Sequence, residues 1–220
     1  MAARTPAAEV TGSAREKILE AAEALFARRG YAGVGMSEIA EAVGLSKSSL
    51  FHHFPAKAQL YAATLDRILR ELEAALMRAL AAGGTPTERL DRWVDTICDL
   101  LGERPAHARL LLRSLFEDDD LSETCAEQRA TEATLARIIG AANQLLREGM
   151  QTGALRAASL PHTIQSLIGM LVYHFASGDF GAELLGQPVF ARAEVRRRKD
   201  EIKALLHHGL ANPATARHRS

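Results

Sequence analysis

Apolar residues recur at intervals of three and four along almost the whole chain, a spacing that predicts successive α-helices. The first predicted helix follows Ser13 and ends at Gly30, with Ile18, Ala22 and Phe26 on its apolar face. The sequence contains neither strand-like pairs nor a tandem repeat. The pattern therefore predicts an all-α protein with about nine helices.

Two short helices are predicted next, separated by a glycine. Ser37 is the expected N-cap of the second helix, and Gly44 ends it. Ser46 is the expected N-cap of the third helix, which runs to His53 before Pro55.

Longer helices are predicted in the rest of the chain, at residues 56–82, 86–102, 105–116, 121–150, 160–175 and 190–210. The acids of residues 117–120 are expected to form a solvated loop or a helix cap, and the glycine-containing residues 177–186 a turn region. Residues 160–175 are apolar on most faces, so that helix needs cover from more than one side.

The charge is neutral overall but unevenly distributed. Lys and Arg number 27 and Asp and Glu 27, which excludes a protein that coats DNA through its whole surface. Residues 42–65, however, contain no acid at all. Since DNA phosphates repel carboxylates, this interval is a candidate nucleic-acid surface.

The remaining composition fits a globular helical protein without a membrane span. Cys98 and Cys125 lack metal-ligand spacing and predict buried thiols of a cytoplasmic protein. No metal and no cofactor are expected.

The two short helices fit helix-turn-helix geometry, in which the second helix enters the major groove and the first crosses the backbone. Ala40 is small where the helices cross, Gly44 permits the turn, and Leu45 and Leu50 fill the small core. The helix N-termini at Ser37 and Ser46 would offer free N–H groups to phosphates.

At this point the chain resembles a known family. The segments REKILEAAEALFARRGY, MSEIAEAVGLS and LFHHFPAKAQLY, within residues 15–61, are similar to the DNA-binding domain of the TetR/AcrR family of bacterial transcriptional regulators. The resemblance implies a homodimer whose C-terminal domain binds a small effector and releases DNA. It assigns residues 13–57 to DNA binding and 58–211 to effector binding and dimerisation, with disordered tails at 1–12 and 212–220.

Carried over by position, the resemblance implies phosphate contacts from Ser37, His53 and Lys57. Base contacts would come from Lys47, Ser48 and His52, with Lys47 suited to guanine O6 and N7. Ser46 and Phe51 complete the predicted DNA-binding set.

Phe51 stands where the family commonly has a tyrosine, so it can pack against sugar or a thymine methyl but cannot donate to phosphate. The alternatives are that Ser46 and Ser48 serve only as helix caps and that Lys57 is an ordinary surface lysine. A metal pair at His52 and His53 is disfavoured because adjacent helical positions diverge by about 100°.

The resemblance places the dimer interface on the last two long helices, at residues 160–177 and 192–210. The first of these is too apolar to face water, which a four-helix interface would explain; the alternative is a helix central to a monomer core.

An effector cavity is expected among the inner helices, mostly apolar and neutral and suited to a lipophilic molecule. Its candidate residues, each also able to be plain core, are Trp93, Ile97, Cys98, His107, Leu111, Phe116, Gln144, Met170, Tyr173 and His174.

We therefore predict a repressor that binds a palindromic operator as a dimer. An enzyme is disfavoured because GxSxG, HExxH, P-loop and Rossmann motifs are missing. The alternative is a helical small-molecule carrier without a DNA role.

Overall fold

The computed structural model describes residues 13–116 and 125–210, which form ten helices and no strand. The predicted all-α fold is thereby confirmed. The predicted tails at residues 1–12 and 212–220 and the acids at 117–120 lie outside the described residues. Within the described ranges, no helix has both the length and the apolar character needed to cross a bilayer.

Three helices open the chain, and local capping explains their bounds: α1 Ala14–Arg29, α2 Met36–Ala42 and α3 Lys47–His53. The Ser13 hydroxyl accepts from the Glu16 N–H at 3.3 Å, as predicted for the α1 N-cap. The predicted cap at Ser37 is wrong, because Gly35 caps α2 and Ser37 lies in its first turn. Met36 starts the helix because its side chain is buried in the adjacent core.

Seven helices follow in the described residues: α4 Lys57–Ala81, α5 Pro86–Glu103, α6 Pro105–Ser114, α7 Ala126–Gln151, α8 within residues 160–176, α9 Gly178–Leu185 and α10 Arg192–Gly209. Helix α8 has three parts: α-helical Leu160–Ile168, π-helical Gly169–Tyr173 and α-helical His174–Ala176.

Helix α9 corrects the prediction of a turn region at residues 177–186. Gly178 and Gly186 have φ of +56° and +71°, left-handed values that suit the ends of a helix. Gly181 lies inside the helix, where an added Cβ would collide with Ser177. The glycines therefore bound and pack a helix.

Two hydrophobic clusters organise the helices. The first, which we call the N-terminal cluster, joins α1, α2 and α3 to the start of α4 as far as Ile68, and also takes in Leu110 of α6. The second, the C-terminal cluster, is built from the rest of α4 with α5, α7, α8 and α10, and takes in Ala108 of α6. Helix α4 thus contributes to both clusters.

A series of hydrogen-bonded side-chain pairs connects α5 to α10. Asp91, Asp95 and Asp99 follow one another at four-residue spacing on α5, and they pair with His207, Lys203 and Lys199 respectively. Since the partner numbers fall as the aspartate numbers rise, the two helices are antiparallel. The pairing leaves the opposite side of α5 free to face the C-terminal cluster.

The C-terminal cluster gives the first testable prediction. Leu146 of α7 is fully buried, so Leu146→Ala should lower the free energy of unfolding by about 2–5 kcal/mol in denaturant titration. Arg147→Ala, at the exposed neighbouring position, serves as the control and should change stability by less than about 0.5 kcal/mol. Equal losses in both variants would contradict the assigned core.

Candidate functional site

Helix α3 presents a polar surface to solvent. Leu50 is fully buried beneath it, while Lys47, Ser48, His52 and His53 are all exposed. The predicted base-contacting and phosphate-contacting residues of α3 therefore lie on its accessible side.

Hydrogen bonding fixes the start of α3. The Ser46 hydroxyl accepts from the Ser49 N–H at 3.1 Å, which confirms the predicted N-cap. Its oxygen also lies 2.9 Å from the Ser48 hydroxyl and 3.0 Å from that of Ser49. Three serine hydroxyls thus crowd the helix N-terminus, where the backbone dipole favours an anion.

The turn between α2 and α3 depends on Gly44, as predicted. Its φ is +68°, a left-handed value that is costly for residues with a side chain. The Leu45 N–H then donates to the Ala40 carbonyl at 2.9 Å, closing the end of α2. This turn sets the angle at which α3 projects.

Lys57 is held at the start of α4 rather than projecting freely. Its ammonium donates to the carbonyls of Tyr31 and Val34 at 3.0 and 3.3 Å, and it lies 4.1 Å from the Tyr31 ring centroid. These contacts fasten α4 to the loop after α1. An ammonium group has three protons, so these two hydrogen bonds leave a further donor.

Two cations lie over aromatic rings at this surface. Lys47 Nζ is 5.8 Å from the centroid of the half-exposed Phe51 ring, and the Arg15 guanidinium is 5.0 Å from that of Phe54. Sequence reasoning missed Arg15, because only the fold brings the start of α1 beside the end of α3. Arg15 is exposed and adds a further cation near the α3 C-terminus.

His52 and His53 stack edge to face, with ring centroids 5.9 Å apart. Across the described ranges, no group of three or more His, Cys, Asp or Glu residues is arranged to hold a metal ion.

A second candidate site is a cavity of about 450 Å³ between α4, α5, α6, α7 and α8. Its wall is almost entirely apolar, with polar residues only from α6 and α7. The lining residues are Ala62, Leu65, Leu69, Leu72, Leu76, Trp93, Ile97, Leu101, Leu111, Ser114, Leu115, Gln128, Thr131, Glu132, Leu135, Ile138, Ile139, Ala142, Ile164, Leu167, Ile168, Leu171 and Val172.

Three of the ten predicted effector residues, Trp93, Ile97 and Leu111, line this cavity. The other seven are Cys98, His107, Phe116, Gln144, Met170, Tyr173 and His174, and the structure places them elsewhere. Phe116, Tyr173 and Gln144 are exposed.

The other four of these seven are wholly or partly buried outside the cavity wall. Burial raises the pKa of the Cys98 thiol to about 12. Burial, together with the charge of Arg198, lowers the pKa of His174 to about 4, so its ring is neutral at neutral pH. The Met170 carbonyl, in the π-helical stretch, accepts from Arg198 at 2.5 Å. His107 belongs to a polar network described below.

The cavity residues that sequence reasoning missed lie mainly on α4, α7 and α8. On α4 they form a regular stripe at positions 62, 65, 69, 72 and 76. This alternation of three and four residues was visible in the sequence. The apolar face of a helix can pack in the core or line a cavity, and helices distant in sequence decide which. The sequence pattern alone therefore could not identify the cavity-lining residues.

A buried network joins the two clusters. Glu23 of α1 accepts from Arg67 of α4, and its other carboxylate oxygen lies 3.2 Å from Nε2 of the buried His107 of α6. Burial by itself raises the pKa of Glu23, but the hydrogen bond and charge of His107, with those of Arg67, hold that pKa below its ordinary value. Three helices therefore meet on one carboxylate.

An exposed helix set on a glycine turn above a small three-helix core defines a helix-turn-helix protein. Residues 18–64 match the model of the bacterial regulatory proteins of the tetR family. Residues 18–64 therefore carry the N-terminal domain of that family, and the resemblance found in the sequence is confirmed.

Two transcriptional regulators are similar in sequence to about half of this chain. The chain is 34% identical over 122 residues to the transcriptional activator FasR of Mycolicibacterium smegmatis, covering 56% of this chain and 54% of FasR. It is 30% identical over 105 residues to the transcriptional repressor KstR of the same species, covering 48% of this chain and 52% of KstR. The chain thus spans about half the length of the curated relatives it matches.

The fold also matches a solved structure, that of AibR in complex with isovaleryl coenzyme A and operator DNA. The TM-score is 0.70 at 21% identity, covering 87% of this chain and 96% of AibR. This likeness establishes a shared fold over most of the chain.

The buried network predicts a pH dependence. Because the folded-state pKa of Glu23 is depressed, its stabilisation is present above the unfolded pKa of about 4.5 and is lost as pH falls through the folded value. Glu23→Gln should lower the unfolding free energy at neutral pH by about 1–3 kcal/mol and flatten its decline in acid, measured by denaturant titration across pH.

Glu20→Gln is the matched control, since Glu20 lies on the same helix, is exposed, and reaches Arg67 only at 4.0 Å. It should leave the pH profile close to that of the wild type. A Glu23→Gln profile parallel to wild type would contradict the role given to this carboxylate.

Proposed function

We propose that this protein is a transcription regulator that binds a palindromic operator as a homodimer and is released by a small lipophilic effector. The observation that carries the proposal is the exposed α3, set on the Gly44 turn within the region that matches the tetR-family model. The operator DNA held by AibR, which shares the fold, is consistent with it. Such a protein would act in the cytoplasm, where the operator is.

In this proposal Lys47, Ser48 and His52 read base edges from α3. Ser37, His53 and Lys57 hold phosphates, and the structure adds Arg15 at the same surface. All but the half-buried Lys57 are exposed. Two such helices are needed because one short helix makes too few contacts for selective binding.

Exposed apolar side chains on the C-terminal helices support the homodimer. Tyr173 is 52% exposed on α8, Phe180 is 61% and Leu184 75% exposed on α9, and Leu205 is 59% exposed on α10. Apolar groups concentrated in this way mark a surface for association, and a second copy of the chain would cover them.

Repression is the proposed direction of control, since a dimer seated on an operator excludes other proteins without further contacts. The relatives include both an activator, FasR, and a repressor, KstR. The effector is proposed to occupy the cavity, which shares α4 and α6 with the N-terminal cluster. It would release DNA only through its differential affinity for the two states of the dimer.

The DNA-binding proposal predicts a loss of selective affinity in the double variant Lys47→Ala, His52→Ala. Each lost base contact costs about 1–3 kcal/mol, so binding to an operator selected from random DNA should weaken at least about tenfold in a gel-shift titration. The double variant should retain its capacity to bind ligand in the cavity.

The control is Arg147→Ala on α7, far from α3 in the chain, which should bind the operator like the wild type. A wild-type protein that selects no sequence would overturn the proposal. If it still bound small apolar molecules, the alternative of a helical carrier would take its place.

The dimer proposal predicts that Leu205→Glu weakens self-association. A carboxylate placed in an apolar interface must be desolvated, so the dimer dissociation constant should rise at least about tenfold in analytical ultracentrifugation. Met77→Glu changes a leucine-sized exposed residue on α4 in the same way and should leave the dimer intact. Loss of dimer in both variants, or in neither, would count against the assigned interface.

A further inference from the structure

We propose that the effector is an uncharged, largely apolar molecule carrying a hydrogen-bond acceptor, such as a ketone or ester carbonyl, that pairs with the indole N–H of Trp93. This inference rests on the proposed function only in taking the cavity to be the effector site. It adds the chemical class of the ligand and the residue that orients it.

The cavity wall disfavours an anion. Among the residues that the structure describes, 23 line the cavity; the polar ones are Ser114, Gln128, Thr131 and Glu132, and none of the 23 is Lys, Arg or His. A carboxylate or phosphate moved into such a wall would lose its hydration without gaining a counter-charge. Glu132, the one charged residue among the described part of the wall, would repel it.

Most polar groups of the wall already have partners within the protein. The Thr131 hydroxyl lies 3.0 Å from the Ala62 carbonyl and 2.9 Å from that of Glu127, and the Ser114 hydroxyl donates to the Leu111 carbonyl at 2.8 Å. The Gln128 amide donates to Glu132 at 3.4 Å. These groups are occupied in anchoring α6 and α7.

Trp93 differs from them. Its side chain lines the cavity and is 6% exposed, and in the part of the chain that the structure describes its buried Nε1 has no acceptor. An indole N–H can only donate. A ligand that brings an acceptor oxygen against this side chain would satisfy it, whereas an ammonium ion or a hydrocarbon offers no acceptor.

Trp93 is the only tryptophan of the chain, so its indole N–H gives a single, self-assigned cross-peak in a ¹H–¹⁵N spectrum. We expect 2-decanone to move this cross-peak downfield, as hydrogen bonding does, and decane to bind without that shift. A ketone that binds and leaves the peak unmoved would overturn the assignment of Trp93.

The charge preference is tested by displacement of the uncharged dye Nile red from the full-length protein at neutral pH. Decanoate and decylammonium should each displace it at least about tenfold less effectively than 2-decanone. Decanoate, decanoyl coenzyme A or decylammonium binding as tightly as the ketone would overturn the uncharged class.

Trp93→Phe keeps an aromatic ring and removes the donor. The advantage of 2-decanone over decane should fall from about tenfold in the wild type to about twofold or less in the variant. An unchanged advantage would overturn the hydrogen bond. If circular dichroism shows that the variant does not fold, the shift of the Trp93 indole cross-peak in the wild-type ¹H–¹⁵N spectrum tests the hydrogen bond by itself.

Separate experiments test the ligand class and the DNA-binding function. Operator binding is measured on the ligand-free protein and does not depend on Trp93. A protein that selects an operator but prefers an anionic ligand would retain the proposed function and lose only the ligand class.

Discussion

The rest of the structure depends on the sharing of one helix, α4, between two hydrophobic clusters. Its first three turns complete the core under α3, and a stripe that runs from Ala62 to Leu76 forms a wall of the cavity. Glu23 strengthens this connection by tying α1 to α4 through Arg67 and to α6 through His107. Because a helix resists bending along its axis, a shift of α4 at the cavity is expected to displace the core on which α3 packs.

The two candidate sites differ in the charged residues that surround them. Residues 42–65 around α3 contain bases and no acid, whereas the described cavity wall is mostly hydrocarbon, with three uncharged polar residues and one acid, Glu132. These environments suit opposite kinds of ligand, a polyanion outside and an uncharged molecule inside. A ligand of one site is therefore poorly suited to compete at the other, and any influence between them has to pass through the packing.

Features set by nearby residues could be predicted from the sequence. The Ser46 cap, the Gly44 turn and the bounds of α3 follow from neighbours within a few positions, and they were confirmed. The start of α2 was not predicted correctly, because burial of Met36 decides it. The cavity was only partly predicted: Trp93, Ile97 and Leu111 were identified, but which apolar stripes face empty space depends on contacts between helices distant in sequence.

The π-helical stretch in α8 has a consequence for the geometry of the last part of the chain. A π-turn holds about one residue more than an α-turn, so it rotates everything after it by roughly 100° relative to an uninterrupted helix. That rotation separates the cavity-lining Ile168 from the side on which His174 and Phe175 are buried. In evolutionary terms the stretch is equivalent to a one-residue insertion, and a homologue lacking it would present different side chains to its neighbours from an almost unchanged sequence.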